Sequence, residues 1–297
     1  MNQLIKTILK GGSRLVLKNK KFILLLWGTN ITLSLVLTIP IYSLLVENLQ
    51  HSMLSDELAL NFNYFWYLQF RYLYENVFDK LPFFFYSVVG VNVFIQTFYT
   101  GGMLAVFNNP KKNHVSDFFY GGVKYWYRFM KVTIVMLVLV ILILEIDDLL
   151  SDSIASVLDS LNSIFLDIII RSIRYLIVLL LIGFVTIITD YVDVYLALHD
   201  QMKVRKGFVE TLRFIRGRAA LIFIVFMSVA SLGGLGAVFY NAVVIYVPRS
   251  PFYFLILTFI LQQLLIIFRL LIKMLFHATE VFLFKDQDAE VISKLKE

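Results

Sequence analysis

The sequence predicts an all-α, polytopic membrane protein: six transmembrane helices forming three parallel hairpin repeats, each led by an amphipathic helix on the cytoplasmic side. Three observations carry this. First, of 297 residues 59% are hydrophobic and only 16% are charged, with a mean hydropathy of +0.79. A soluble domain is about 45–50% apolar and about 25% charged. An ordinary soluble enzyme is excluded, and so is a disordered chain, which needs low hydrophobicity and high charge. Second, the apolar residues fall into six runs long enough to cross a bilayer. Third, the charges change character from one intervening segment to the next.

A span needs about 20 mostly apolar residues. The first runs from Phe22 to Val46. Its basic lead and apolar run resemble a signal peptide, but the run exceeds the roughly 7–15 residues of a cleavable apolar segment and no Ala-x-Ala site follows. It is expected to remain as an anchor. The second runs from Leu81 to Phe107. The third, Val132 to Ile146, is the shortest and is extended by Phe129 and Met130. The fourth covers Tyr175 to Leu198, the fifth Ala219 to Val247, and the sixth Phe252 to Phe276, with helical spacing onward to Phe284. All are too continuous for transmembrane strands, which alternate apolar and polar over about 10 residues.

The charges set the threading. Before span one stand Lys6, Lys10, Arg14, Lys18, Lys20 and Lys21 with no acid. The next loop is acidic: Glu47, Asp56, Glu57, Glu75 and Asp79 against Arg71 and Lys80. Basic residues return at Lys111, Lys112, Lys124, Arg128 and Lys131. The third loop holds Glu145, Asp147, Asp148, Asp152, Asp159 and Asp167, with Arg171 and Arg174 near its end. The fourth carries Lys203, Arg205, Lys206, Arg213, Arg216 and Arg218. The fifth is the short Pro248–Arg249–Ser250–Pro251, and the tail carries Lys285, Lys294 and Lys296 among acids. Lys and Arg concentrate beside span ends on the cytoplasmic side, so both termini are expected in the cytoplasm. The net charge of +6 reflects this bias rather than nucleic-acid binding.

The chain reads as a single six-span membrane domain, 1–297, with repeats at about 1–110, 111–202 and 203–297. Each pair of spans follows a basic segment with amphipathic spacing: Leu4 to Lys18, Val115 to Arg128, and Val204 to Arg216. Such helices suit the membrane interface. Gly11–Gly12 and Gly121–Gly122 mark places where two of them are expected to bend or break. Each second arm closes alike, in Gly102-Met-Leu-Ala-Val-Phe-Asn-Asn, Asp193-Val-Tyr-Leu-Ala-Leu-His-Asp and Glu280-Val-Phe-Leu-Phe-Lys-Asp. The three begin on the same side, so an axis along the membrane normal would relate them.

Ionisable groups inside spans are functional candidates. Asp190 and Asp193 share one face of the fourth helix. Arg269, Lys273, His277 and Glu280 recur at a spacing of 3–4 along the sixth. Acids on one helix and bases on the other could pair, giving a polar cluster between helices four and six. The bland alternative is that both helices project past the bilayer and their side chains snorkel to the interface. Asn30, Asn92, Gln96, Asn241, Gln262 and Gln263 are neutral and suit hydrogen bonding between helices.

Span five carries the small residues Ser228, Ala230, Ser231, Gly233, Gly234, Gly236 and Ala237. This face is expected to lie within the bundle or at a subunit contact, or else Gly233–Gly234 breaks the helix. In the outer loops, Phe62 to Tyr74 is an aromatic belt suited to headgroup level. The spacing of Leu149, Leu150, Ile154, Val157, Leu158, Leu161, Phe165 and Ile168 predicts an outer amphipathic helix leading into span four. The chain has no cysteine, hence no disulfide and no thiolate ligand. No Walker loop, HExxH or GxSxG is present, and His51, His114, His199 and His277 are scattered without metal-ligand spacing.

The basic Phe-x-x-Gly segments before spans, with Thr-Asp-Tyr-Val-Asp at 189–193 and Lys-Gly-Phe-Val-Glu-Thr-Leu-Arg-Phe at 206–214, resemble a group of bacterial six-helix membrane proteins. These are similar to the membrane domain found beside some glycerophosphoryl diester phosphodiesterases. The resemblance spans most of the chain in architecture and about 25 residues in motif. The phosphodiesterase catalytic domain has no counterpart, so the resemblance implies a membrane module and carries over no activity. The expectation is a non-enzymatic scaffold or accessory protein of the bacterial plasma membrane, without cofactor or metal. Its partners would be the lipid bilayer and a protein or a second copy of itself, not nucleic acid. The alternative is a small-solute or lipid transporter using the polar cluster between helices four and six.

Overall fold

Backbone in lipid must satisfy its own hydrogen bonds, and a helix does so within the segment. The computed structural model describes residues 2–49, 52, 54–55, 58, 63–109, 114–161, 164–248 and 253–294, and no strand occurs among them. In chain order the helices are α1 (Asn2–Lys18), α2 (Lys21–Leu49), α3 (Tyr64–Leu73), α4 (Glu75–Phe78), α5 (Leu81–Asn108), α6 (Val115–Leu161), α7 (Ile164–Leu198), α8 (Val204–Ile245) and α9 (Tyr253–Lys294). Six of these, α2 and α5 to α9, are long and apolar enough to cross a membrane. Of the residues named above, His51, Asp56, Glu57, Phe62, Lys111, Lys112, Arg249, Ser250, Pro251, Phe252 and Lys296 lie outside the described residues.

Where a basic segment meets its span, the three cases differ. A turn at Asn19–Lys20 separates α1 from α2. The second basic segment runs into its span without interruption as α6. The third is continuous with its span in α8 but kinks at Arg218, with φ −139° and ψ 23°, just after Gly217. The outer amphipathic helix expected over 148–171 is helical on both sides of residues 162 and 163, which lie outside the described residues. Its first part is the end of α6 and its last part is the start of α7. No Gly or Pro stands between Val123 and Leu161, so nothing stops α6 where its hydropathy falls.

The chain divides into two compact units: Met1–Leu17 with Thr97–Val229 and Met274–Glu297, and Lys18–Gln96 with Ala230–Lys273. The first unit contains most of the buried apolar side chains, Phe107, Phe118, Phe129, Met103, Leu104, Leu196, Ile222 and Leu283 among them. Helix backbones approach closely at three places in it. A Cβ at Gly12 of α1 would stand 2.6 Å from Thr279 Cγ2 of α9, and one at Gly11 would stand 2.5 Å from the Phe282 ring. A Cβ at Gly121 of α6 would stand 2.3 Å from Ala105 Cβ of α5. A Cβ at Gly207 of α8 would meet Leu196 Cδ2 of α7 at 2.9 Å. Both Gly pairs therefore lie inside unbroken helices. Their lack of a side chain serves close packing, not bending.

Polar contacts hold the α7–α8 turn to α6 in the same unit. Lys124 pairs with Asp200, and Tyr125 Oη donates to Asp200 Oδ1 at 2.6 Å. Arg128 Nη2 donates to the Met202 carbonyl at 2.8 Å. Burial raises the Asp200 carboxyl, but the bonds from Lys124 and Tyr125 outweigh it and hold the group below the usual carboxylate range. Farther along α6, Asp147 pairs with Arg174 of α7 at 3.1 Å, each side chain 11% exposed.

In the second unit, Trp27 Nε1 of α2 donates to Gln263 Oε1 of α9 at 3.0 Å. Lys273 Nζ donates to Gln96 Oε1 at 2.6 Å. Asn63 caps α3 by accepting from the Trp66 amide at 3.1 Å. Phe65 and Tyr72 of that helix are largely exposed, as suits rings at headgroup level. The Gly233–Gly234 pair does not break α8. Gly236 instead abuts the Phe268 ring, Gly233 touches Ile272 at 3.4 Å, and Gly234 faces open space. Only part of the small-residue face is covered by α9.

Candidate functional site

The site starts from helix arithmetic. Residues three apart stand on one helix face, so Asp190 and Asp193 project together from the end of α7. His277 and Glu280 do the same from α9. The first unit brings these two faces into register. One ligand atom each of Asp190, His277 and Glu280 lies within 4.8 Å of the others. His277 Nδ1 stands 3.4 Å from Glu280 Oε2. Asp193 lies within electrostatic reach of both Asp190 and Glu280.

Burial bears on the snorkelling alternative for three of these groups. The side chains of His277 and Glu280 are 7% and 5% exposed, and Asp193 is 8% exposed as a residue. A snorkelling side chain keeps its charged head in water; these do not. Aromatic rings stand close by: Tyr191 lies against Phe214, which stacks on Phe284 with centroids 4.6 Å apart. Asp193 Oδ1 is buried and accepts no hydrogen bond among the described residues. An acceptor left in that state costs about 1–3 kcal/mol, so it marks a place where a donor or cation would be stabilised.

The other two members of the charged stripe lie in the second unit. Lys273 is bonded to Gln96, and Arg269 is exposed. Within the first unit, Asp190 of α7 meets the histidine and carboxylate of the stripe.

Chemically, two carboxylates and an imidazole offer hard oxygen donors and one borderline nitrogen. That set suits Mn²⁺, Fe²⁺ or Zn²⁺, or a proton shared among the groups. Metal–ligand bonds of about 2.0–2.2 Å would require the three ligand atoms to draw inward. The sequence grouped His277 with the acids of α7 in one candidate cluster, but it did not single out Asp190 and Glu280 as the groups beside it. The i, i+3 pairing of His277 with Glu280 was the available signal. No family model, curated protein or solved structure matches the chain.

Proposed function

We propose that the protein is a multi-pass component of a bacterial plasma membrane, with both termini cytoplasmic, that moves a small solute and takes up a cation at its acid–histidine cluster. The observation that carries this is the burial of Asp193, His277 and Glu280 together with Asp190 inside two membrane-crossing helices. Buried ionisable groups in spans are costly, and they mark ion or solute pathways and proton relays. The three hairpins are read as parallel repeats. Support comes from the recurrent contact in which a basic segment meets the end of a second arm: α1 on Thr279, α6 on Ala105, α8 on Leu196.

The test is flux. Purified protein in phosphatidylethanolamine/phosphatidylglycerol vesicles, loaded with a pH dye or a divalent-metal dye, should dissipate an imposed H⁺ or Mn²⁺ gradient. Glu280→Gln and Asp190→Asn should reduce the rate by tenfold or more, on the order of 1.4 kcal/mol. Equal leak from wild type, variants and empty vesicles would sink the reading.

One observation favours a second, non-enzymatic accessory role. Only 6–17% of the residues in the most apolar stretch of each candidate span are buried. Apolar surface on that scale suits helices of a partner protein or a second copy as well as it suits lipid. Inter-chain cross-links at Leu235 or Phe239 in membranes, with no flux, would select this role.

A further inference from the structure

A cavity of about 880 Å³ opens where the start of α6 meets the α7–α8 turn and the first turns of α8. Four cations line it: Arg128 and Lys131 from α6, Lys203 from the turn and Arg205 from α8. Val135 and Phe208 supply apolar wall. No carboxylate forms an ion pair with Lys131, Lys203 or Arg205 among the described residues. The nearby acid, Asp200, is already held by Lys124 and Tyr125. Arg128 is fixed by its bond to the Met202 carbonyl, and Lys131 lies over the Tyr127 ring at 4.2 Å. Two of the four cations are therefore held at the cavity wall, and Lys203 and Arg205 complete its cationic lining.

Its surroundings say what kind of anion fits. Lys131 and Val135 are one turn apart on a helix apolar enough to cross a bilayer. Charge ends and apolar surface begins within that turn. A soluble phosphate would use the cations and leave the wall bare. We propose that this cavity binds an anionic phospholipid, its phosphodiester among Lys131, Lys203, Arg205 and Arg128 and the start of an acyl chain along Val135 and Phe208. Basic pockets between helices at the cytoplasmic face are suited to such headgroups. The four cations come from two different hairpins of the chain, so the lipid would tie the second hairpin to the start of the third. This site is separate from the acid–histidine cluster and does not depend on solute transport.

Native mass spectrometry of the full chain, delipidated in detergent, tests the proposal with dioleoyl-phosphatidylglycerol and dioleoyl-phosphatidylcholine. Phosphatidylglycerol should bind more tightly than phosphatidylcholine, and an equal concentration of glycerol 3-phosphate should not displace it. At about fivefold per basic residue, K131Q/K203Q/R205Q should weaken phosphatidylglycerol binding on the order of a hundredfold. K206Q/R213Q/R216Q removes the same charge from α8 outside the cavity and should leave most of the binding intact. If the triple variant melts early, exposed Lys131→Gln alone should still cost about fivefold. Four results would each overturn the proposal: undiminished binding in the cavity variants, equal loss in the control variant, equal binding of phosphatidylcholine, or displacement by glycerol 3-phosphate.

Discussion

Asp147 and Arg174 show what single residues contribute where two spans run side by side. The sequence placed Asp147 in the acidic third loop and Arg174 near its end. In the structure they face each other from α6 and α7, 3.1 Å apart and 11% exposed, and Arg174 also lies over the Tyr175 ring at 4.8 Å. Removing one member of a buried pair leaves the other uncompensated, at a cost of about 3–5 kcal/mol, whereas replacing both can be nearly neutral. Arg174→Ala should therefore lower the melting temperature of the detergent-solubilised protein more than the double variant with Asp147→Ala does. Single losses that merely add would mean the two charges act independently. The same logic explains why their pairing was not legible in the sequence. Local hydropathy counts charges but not their partners, and a pair on adjacent helices can carry both helices past the point where hydropathy ends them.

At the scale of elements, the spans were legible because bilayer thickness imposes a run of about 20 apolar residues, and all six runs became helices. The junctions were less legible. A basic amphipathic segment can be a separate helix, as α1 is, or the first turns of a longer one, as in α6, because propensity is the same on both sides of the boundary. The glycines illustrate a second ambiguity. Lack of a Cβ permits bending and permits close approach, and sequence alone does not separate the two. The structure does, and it yields opposed expectations. Gly121→Ala would put a Cβ 2.3 Å from that of Ala105, a methyl fixed to backbone that cannot rotate away, so α5 and α6 must separate. A cost of about 1–3 kcal/mol is expected, despite a gain of up to about 1 kcal/mol in helix propensity. Gly183 in α7 has nothing within 4 Å of its Cβ position, so Gly183→Ala should stabilise by about that propensity gain. Thermal unfolding of the two variants should move in opposite directions. Shifts of the same sign would mean that the α5–α6 approach is not tight.

For the whole molecule, the candidate site depends on a relation that no single stretch of sequence contains. The sequence put the acids of α7 and the stripe on α9 in one candidate cluster, but only the packing of two distant helices decides which members stand together, Asp190 with His277 and Glu280. The proposed threading, by contrast, rests on charges spread over the entire chain. In the first unit Gly12 of α1, Gly121 of α6 and Gly207 of α8 pack against α9, α5 and α7 respectively. The segments around these contacts carry Lys6, Lys10, Arg14, Lys124, Arg128, Lys203 and Arg205, and in the proposed threading they lie on the side on which cations are retained, the cytoplasm. Reporter fusions at Met1 and Glu297 should therefore both read cytoplasmic, and one at Ser55 should read external. An external reading at either terminus would break the two-span periodicity. It would also place the acid–histidine cluster and the cationic cavity, both near these contacts, on the side where neither a polybasic lipid pocket nor a cytoplasmic cation release is expected.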